Sequence, residues 1–281
     1  MPEVAEVALT AEILTQYLKG CVLRKVEFIS GRYHRQVPDT YANFAEQLPM
    51  RLVNVNSKGK FLWFTMTNNN KDRWYIWNTF GMTGMWGFEE TKYARIKLIF
   101  RGGMTAYFSD TRNFGTIKFS NDINALKNKI KGLHPDFLKT EDFSIAHVTK
   151  YNKPIVDLLM DQKKLGSGIG NYLASEILYR AKISPHRLGS SLRKTEIKNI
   201  TYWIKYTTKL AYTNNYTGYM ENLGKYVAKL PRKNYHPDIT IQTDEFEFLV
   251  YQKEKDPLGN PVKKDNIVRG RYTHWVPKIQ K

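Results

Sequence analysis

Near residue 125 the hydrophobic pattern changes period, and nothing else in the sequence constrains the fold as strongly. Upstream, short runs rich in β-branched and aromatic residues, at Leu23 to Ile29, Phe61 to Thr67, Trp74 to Thr79, Arg95 to Phe100, Thr105 to Ser109 and Thr116 to Phe119, are separated by Gly, Asn and Asp turns. Such runs are strands, and their number and spacing predict an antiparallel sandwich or barrel. Before them, Val4, Val7, Ala11, Leu14 and Leu18 fall on one face of an amphipathic helix that Gly20 stops. Downstream the period becomes that of helices: Ile155, Leu158 and Leu159, then Leu173, Ile177, Leu178 and Ala181, then Ile197, Ile200, Ile204 and Ala211. The two periods demand two cores, and 281 residues suffice for about two domains. After a basic, irregular stretch from Lys225 to Pro237, strand-like segments return at Phe246 to Tyr251 and Ile267 to Trp275. They bracket the turn Asp256 to Pro261, which predicts a small appended hairpin. The expected fold class is α+β: residues 1–125 an N-terminal β-sandwich domain with an opening helix, 126–240 a helical domain, and 241–281 the hairpin.

Composition narrows the function classes. At 42% hydrophobic and 14% aromatic the chain can bury real cores, which excludes wholesale disorder. No stretch approaches the roughly 18 consecutive apolar residues of a spanning helix, and the start, Met1 to Glu6, carries acids where a signal peptide carries Lys or Arg. An intracellular protein with no membrane partner is expected. With Cys21 alone there is no intrachain disulfide and no cysteine-based zinc finger, and the six histidines never fall four apart, so neither a metal nor any other cofactor is expected. A net charge of +18 points to a polyanionic partner, since each neutralised phosphate releases counterions; a merely solvated basic surface is the plainer alternative.

Four groups of residues could carry chemistry on that partner. Removal of the initiator Met would expose Pro2 as a secondary amine, able to attack a sugar C1′ and collapse to an iminium, with Glu3 and Glu6 at hand to move protons. Pro2 can equally be an ordinary first helical residue, with acids favoured by the helix dipole. Lys58-Gly59-Lys60 is a turn into an apolar strand; its lysines are either solvated or converge on phosphate. Gly166 to Asn171 joins two helices, and the second begins at Asn171 with its amides free, which makes either a phosphate clamp or a tight turn. Met82, within Phe80 to Gly84, and Arg112 and Phe114, within Asp110 to Gly115, sit on glycine-flanked turns. They are wedges for a duplex with an extruded base or else residues folded into the core.

Taken in order, Pro2-Glu3 with Glu6, Gly59-Lys60, Gly81 to Gly84, Asp110 to Gly115 and Gly168 to Asn171 resemble the signature of the formamidopyrimidine-DNA glycosylase/endonuclease VIII family of base-excision repair enzymes. The helix after Asn171 matches that family's helix–two-turn–helix, and the resemblance runs from Pro2 to the C-terminus. It implies a bifunctional DNA glycosylase/AP lyase, acting as a monomer on damaged DNA, double- or single-stranded, in whichever compartment holds the DNA. Pro2 would form a Schiff base with C1′ and drive β,δ-elimination, with Glu3 as general acid/base, Glu6 as a supporting carboxylate and Lys60 holding the lesion nucleotide and its phosphate. Asn171 and Arg271 would bind phosphates, and Met82, Arg112 and Phe114 would fill the void left by the flipped base. The DNA would lie bent in a basic cleft between the two domains.

The C-terminus departs from the family pattern. Where members carry four zinc-binding cysteines this chain has Lys255, Leu258, Val276 and Ile279, as in the zincless finger of some endonuclease VIII-like proteins. The hairpin must then be held by packing, with Trp275, Leu258 and Ile279 the candidates. Asn113 stands where many members acting on oxidised purines have a second Arg, and the interval from Asp161 to Asn171 is a residue longer than usual. Both features, with the zincless finger, point to oxidised pyrimidines and hydantoins over 8-oxoguanine and formamidopyrimidines. The segment from Glu221 to Ile241 should include the loop that contacts the flipped base. A non-catalytic nucleic-acid-binding protein and a damage sensor without catalysis are the rival readings.

Overall fold

The opening helix α1 spans Val4–Leu18, and Val7, Ala11, Leu14 and Leu18 turn one stripe into the core of the first unit, as their spacing predicts. Gly20, at φ 84°, follows the helix in the left-handed region that an L side chain disfavours. In this computed structural model, which describes residues 1–214, 220–243 and 245–281, eight strands follow: β1 (Val22–Phe28), β2 (Met50–Lys58), β3 (Phe61–Thr67), β4 (Arg73–Thr79), β5 (Gly84–Gly87), β6 (Ala94–Phe100), β7 (Thr105–Asp110) and β8 (Thr116–Ser120). Short helices α2 (Arg32–Arg35) and α3 (Tyr41–Ala45) lie between β1 and β2, and α4 (Ile123–Lys131) follows β8.

All eight strands join in one antiparallel order, β5-β7-β6-β1-β2-β3-β4-β8. The β1–β2 joint is the weak one, with only Val22↔Arg51 and Leu23↔Met50 paired. There the sheet folds over on itself, because Trp86 of β5, at one end of the order, packs against Phe64 of β3 at 5.0 Å between ring centroids. The Trp86 indole N–H also donates to Asn78 Oδ1 of β4 at 3.1 Å, which satisfies a polar group inside the apolar core. The result is the expected sandwich, its two layers made from one sheet.

Two strands carry no clear pattern in the sequence. In β2 a bulge between Leu52 and Asn54 breaks the alternation of buried and exposed residues, and β5 is four residues between glycines. Residues 220–232 also belong to this first unit: Thr10 Oγ1 approaches Met220 Sδ at 3.8 Å, and Tyr226 of α8 (Gly224–Val227) packs edge-on against Tyr17 and Phe88.

The second unit takes Glu3–Ala5 together with residues 131–214, 233–243 and 245–281. Its helices α5 (Ile155–Met160), α6 (Asn171–Ala181) and α7 (Lys194–Thr213) bury the apolar positions that the sequence places on their inner faces. The terminal hairpin is β9 (Lys263–Val268) and β10 (Arg271–Trp275), joined by Arg269 and Gly270 with Gly270 at φ 75°.

That pairing corrects the sequence expectation. The segment Ile267 to Trp275 is part of two strands with a turn inside it, and Phe246 to Tyr251 is no strand at all. The reason is Glu176, fully buried on α6, whose carboxylate accepts the backbone N–H groups of Leu249, Val250 and Tyr251, each at 3.0 Å, and ion-pairs with Arg180 at 2.7 Å. Amides gathered around one carboxylate cannot also serve a strand ladder. Among the described residues no helix is long and apolar enough to cross a membrane, and no group of three or more His, Cys, Asp or Glu is placed to hold a metal ion.

Candidate active site

In the second unit the chain start is docked into the glycine junction that precedes α6. The Val4 N–H donates to Gly168 O at 3.0 Å, and the buried Glu3 carboxylate accepts the N–H groups of Gly170, of Tyr172 at 3.0 Å and of Leu173 at 3.3 Å. Both glycines are needed for this approach: a Cβ on Gly168 would lie 2.4 Å from Val4 Cβ, and one on Gly170 2.5 Å from Glu3 Cδ. This corrects the expectation that the α6 amides are free for phosphate, because the chain's own carboxylate occupies them. Asn171, the first residue of α6, donates from Nδ2 to Tyr272 O of β10 at 2.9 Å, while its Oδ1 is buried without a partner. Arg271, exposed at the start of β10, is the neighbour of that tyrosine.

Pro2 is buried, one residue from the held Glu3 carboxylate. With Met1 attached its nitrogen is a tertiary amide with no basic lone pair, so the amine chemistry requires removal of Met1. Glu6, on the first turn of α1, is 1% exposed and belongs to the first unit. Lys60 follows Gly59, at φ 54°, in the two-residue turn from β2 to β3, where Lys58 Nζ donates to Ile130 O at 3.1 Å.

Two turns of the first unit present the wedge candidates. Met82 is 38% exposed and Phe114 53% exposed, so neither is folded into the core. The Arg112 guanidinium lies 4.9 Å from the centroid of the Phe114 ring, a cation–π contact. Asp110, which is buried, ties the turns together: its carboxylate accepts the Thr83 hydroxyl, the Arg112 N–H at 3.2 Å and the Gly115 N–H at 2.7 Å. Gly81, at φ 61°, allows the close contact, since a Cβ there would lie 2.7 Å from Gly115 N. Asn113 occupies the left-handed region at φ 57°, which Asn tolerates better than most residues.

Models of three domains of formamidopyrimidine-DNA glycosylase match the chain in order, the N-terminal domain over residues 1–117, the H2TH domain over 133–220 and the C-terminal domain over 237–281. The formamidopyrimidine-DNA glycosylase of Thermus thermophilus is 30% identical over an alignment of 294 residues that covers 100% of this chain and 98% of that protein. The chain belongs to the formamidopyrimidine-DNA glycosylase family. It is accordingly a DNA glycosylase of base-excision repair. The enzyme of the same name from Listeria innocua is 29% identical over 304 residues, covering both chains fully. The crystal structure of MutM (Fpg) from Thermus thermophilus superposes with a TM-score of 0.77 at 28% identity, covering 99% of this chain and 98% of that one. The Lactococcus lactis Fpg bound to DNA containing an abasic site shares the fold at a TM-score of 0.79 and 22% identity, with 99% of each chain covered.

Of the three residues expected to hold the terminal hairpin by packing, Ile279 and Trp275 take part and Leu258 does not. Leu258 is 75% exposed and contributes nothing to a core. Val276, Val250 and Tyr179 form a small buried cluster against which the expected Ile279 packs together with Leu249 and Val262. Trp275 does take part, through its indole N–H to Asp265 Oδ2 at 2.7 Å and its ring against His186 at 5.1 Å. Asp256 closes the neighbouring turn by accepting Leu258 N–H at 3.0 Å, Asn260 N–H at 2.7 Å and the Tyr179 hydroxyl at 3.1 Å. Sequence reasoning overlooked Glu176, whose amide partners lie more than 70 residues on, and the Tyr179 bond to Asp256, which joins α6 to a distant turn.

Proposed function

We propose that this glycosylase is bifunctional: it excises oxidised bases, chiefly pyrimidines and hydantoins, and then cleaves the strand as an AP lyase. The observation that carries the reading is the docking of Glu3 at the α6 junction, which holds a carboxylate one residue from Pro2. After Met1 removal the Pro2 amine attacks C1′ of the damaged nucleotide, the glycosidic bond breaks, and the base leaves with a proton relayed by Glu3. Ring opening leaves an iminium on C1′, which acidifies C2′–H; loss of that proton expels the 3′ phosphate, and a second elimination expels the 5′ phosphate. Free proline amine is regenerated by hydrolysis, so electrons balance without a cofactor.

In this reading residues 1–125 supply the amine, Glu6 as a supporting carboxylate, Lys60 for the lesion phosphate and the wedge of Met82, Arg112 and Phe114. The segments 126–240 and 241–281 supply Asn171 and Arg271 for the flanking phosphates. The partner is damaged DNA, met as a monomer in the compartment that holds it. Asn113 in place of a second Arg supports the pyrimidine preference. The formamidopyrimidine-DNA glycosylase relatives favour a second reading, excision of formamidopyrimidines.

Borohydride reduction during reaction with an abasic duplex tests the mechanism. A covalent complex whose adduct maps to Pro2 is the expected result; no complex, with Met1 confirmed absent, overturns the Schiff-base mechanism and the AP lyase activity with it. Duplexes bearing thymine glycol, a hydantoin, 8-oxoguanine or a formamidopyrimidine then rank the lesions, and faster release of the last two would reverse the preference.

A further inference from the structure

We infer that Arg95 and Arg32 are positioning residues that hold the turn at residues 110–115 in the shape from which Arg112 and Phe114 enter a duplex; this rests on the wedge role proposed above. The two arginines grip opposite ends of the turn. Arg95, on β6, donates from Nε to Asp110 O at 2.8 Å and from Nη2 to Thr111 O at 3.4 Å, and its Nη1 donates to Ser30 Oγ at 2.9 Å. Ser30 is itself fixed, because its hydroxyl donates to Ala94 O at 2.6 Å. Arg32, on α2, donates from Nη2 to the carbonyl of Gly115 and, at 3.5 Å, to that of Phe114. Its guanidinium lies 4.8 Å from the centroid of the Tyr33 ring, and the Tyr33 hydroxyl accepts the Ile117 N–H at 3.0 Å.

Between these grips the segment leading into α2 presses on the tip. A Cβ on Gly31 would lie 2.7 Å from Asn113 Oδ1, and the φ of 76° there favours glycine. The carbonyls are therefore held by arginines from outside while the amides of Arg112 and Gly115 are held by Asp110 from inside. Every anchor acts on the backbone or on Asn113, and the side chains of Arg112 and Phe114 are left exposed. A wedge needs this arrangement: unstacking a base step costs a few kcal/mol, and a mobile tip would add its own ordering entropy to that cost.

A wedge matters only where an opposite strand exists, which separates positioning from general stability. Excision of one lesion is compared in duplex and in single-stranded DNA for the wild type, Arg95→Met, Arg95→Lys and Arg32→Met. Expected for Arg95→Met is a loss of about tenfold or more on the duplex with little change on the single strand, since misplacing a working group by about 1 Å has effects of this order. Arg95→Lys, which keeps the charge and one donor, should recover part of the loss. A second readout needs only binding: 2-aminopurine opposite an abasic site should brighten less with either Met variant than with wild type. Equal losses on both substrates, or no loss on either with wild-type fluorescence, overturn the inference. Should Arg95→Met fail to fold, Arg32→Met carries the test, because the hydrogen bonds given by the Arg32 side chain go to the turn and not to a strand. A wild type that releases no base from either substrate refutes the proposed excision of that lesion separately, while the fluorescence still reports on the arginines.

Discussion

In the turn at residues 110–115 the carboxylate of Asp110 accepts backbone amides two and five residues on, and in the turn at residues 256–261 that of Asp256 accepts amides two and four residues on. Locally they use the same device, an aspartate that replaces missing backbone partners. They differ in what surrounds them. The first is gripped by Arg32 and Arg95 and pressed by Gly81, whereas the second has Tyr179 beneath it, and a Cβ placed on Gly259 at its tip would meet nothing within 4 Å. The difference is that arginines from distant segments hold carbonyls of the first turn, whereas the carbonyls of Asp256 and Asn260 accept amides of their own turn.

Substitution at the two glycines should separate the turns most strongly. Gly81→Ala meets Gly115 N at 2.7 Å with φ at 61° and should cost about 3 kcal/mol or more, combining strain and overpacking. Gly259→Ala, at φ 80° in open space, should cost only about 1–2 kcal/mol. Equal losses in urea unfolding would show the turns to be equally free.

Removing either aspartate orphans several donors, and Asp110→Ala and Asp256→Ala should each cost about 3 kcal/mol. Only Asp110→Ala should also weaken the 2-aminopurine signal; a loss of that signal in both would break the distinction. Beneath the second turn, Val276→Ala removes two buried carbons and should cost about 2 kcal/mol, measured in the same unfolding assay.

A gentler effect comes from pH. Burial and the hydrogen bond to Asp256 push the Tyr179 hydroxyl up to about 12, so its contribution is whole below the unfolded value near 10 and fades as pH rises toward 12. Burial pushes the Asp256 carboxyl up, but hydrogen bonds from Asn260, Tyr179 and the Leu258 amide outweigh it and hold the group below its ordinary value. Its contribution is present above the unfolded value near 3.9 and is lost as pH falls through the lowered one. Tyr179→Phe should flatten the alkaline slope of unfolding free energy and reduce the acid one; unchanged slopes would remove this link. Least of all, Leu258→Ala should stay within about 0.5 kcal/mol of wild type, since the side chain is 75% exposed.

Periodicity made α1, six of the eight sandwich strands and the long helices legible, because each buries one regular face. It failed at β2, where a bulge shifts the register, and at Phe246 to Tyr251, where apolar, strand-like composition served a bend around Glu176. The candidate residues were nameable by type and place: Pro2 and Glu3 stand at the chain start, Lys60, Met82, Arg112 and Phe114 on turns, and Asn171 and Arg271 at the first positions of α6 and β10. What their glycines were for was not, since Gly168 and Gly170 accommodate Val4 and Glu3, more than 160 residues away in the chain.

The sequence by itself determined the two core types and the family signature, because these follow from local periodicity and from side-chain identity. Tertiary structure alone decided which amides Glu3 and Glu176 occupy, that Leu258 faces solvent, and that Arg32 and Arg95 close on one turn. Each of those outcomes depends on hydrogen bonds and burial between segments far apart in the chain, and such partners are chosen only when the whole backbone has folded.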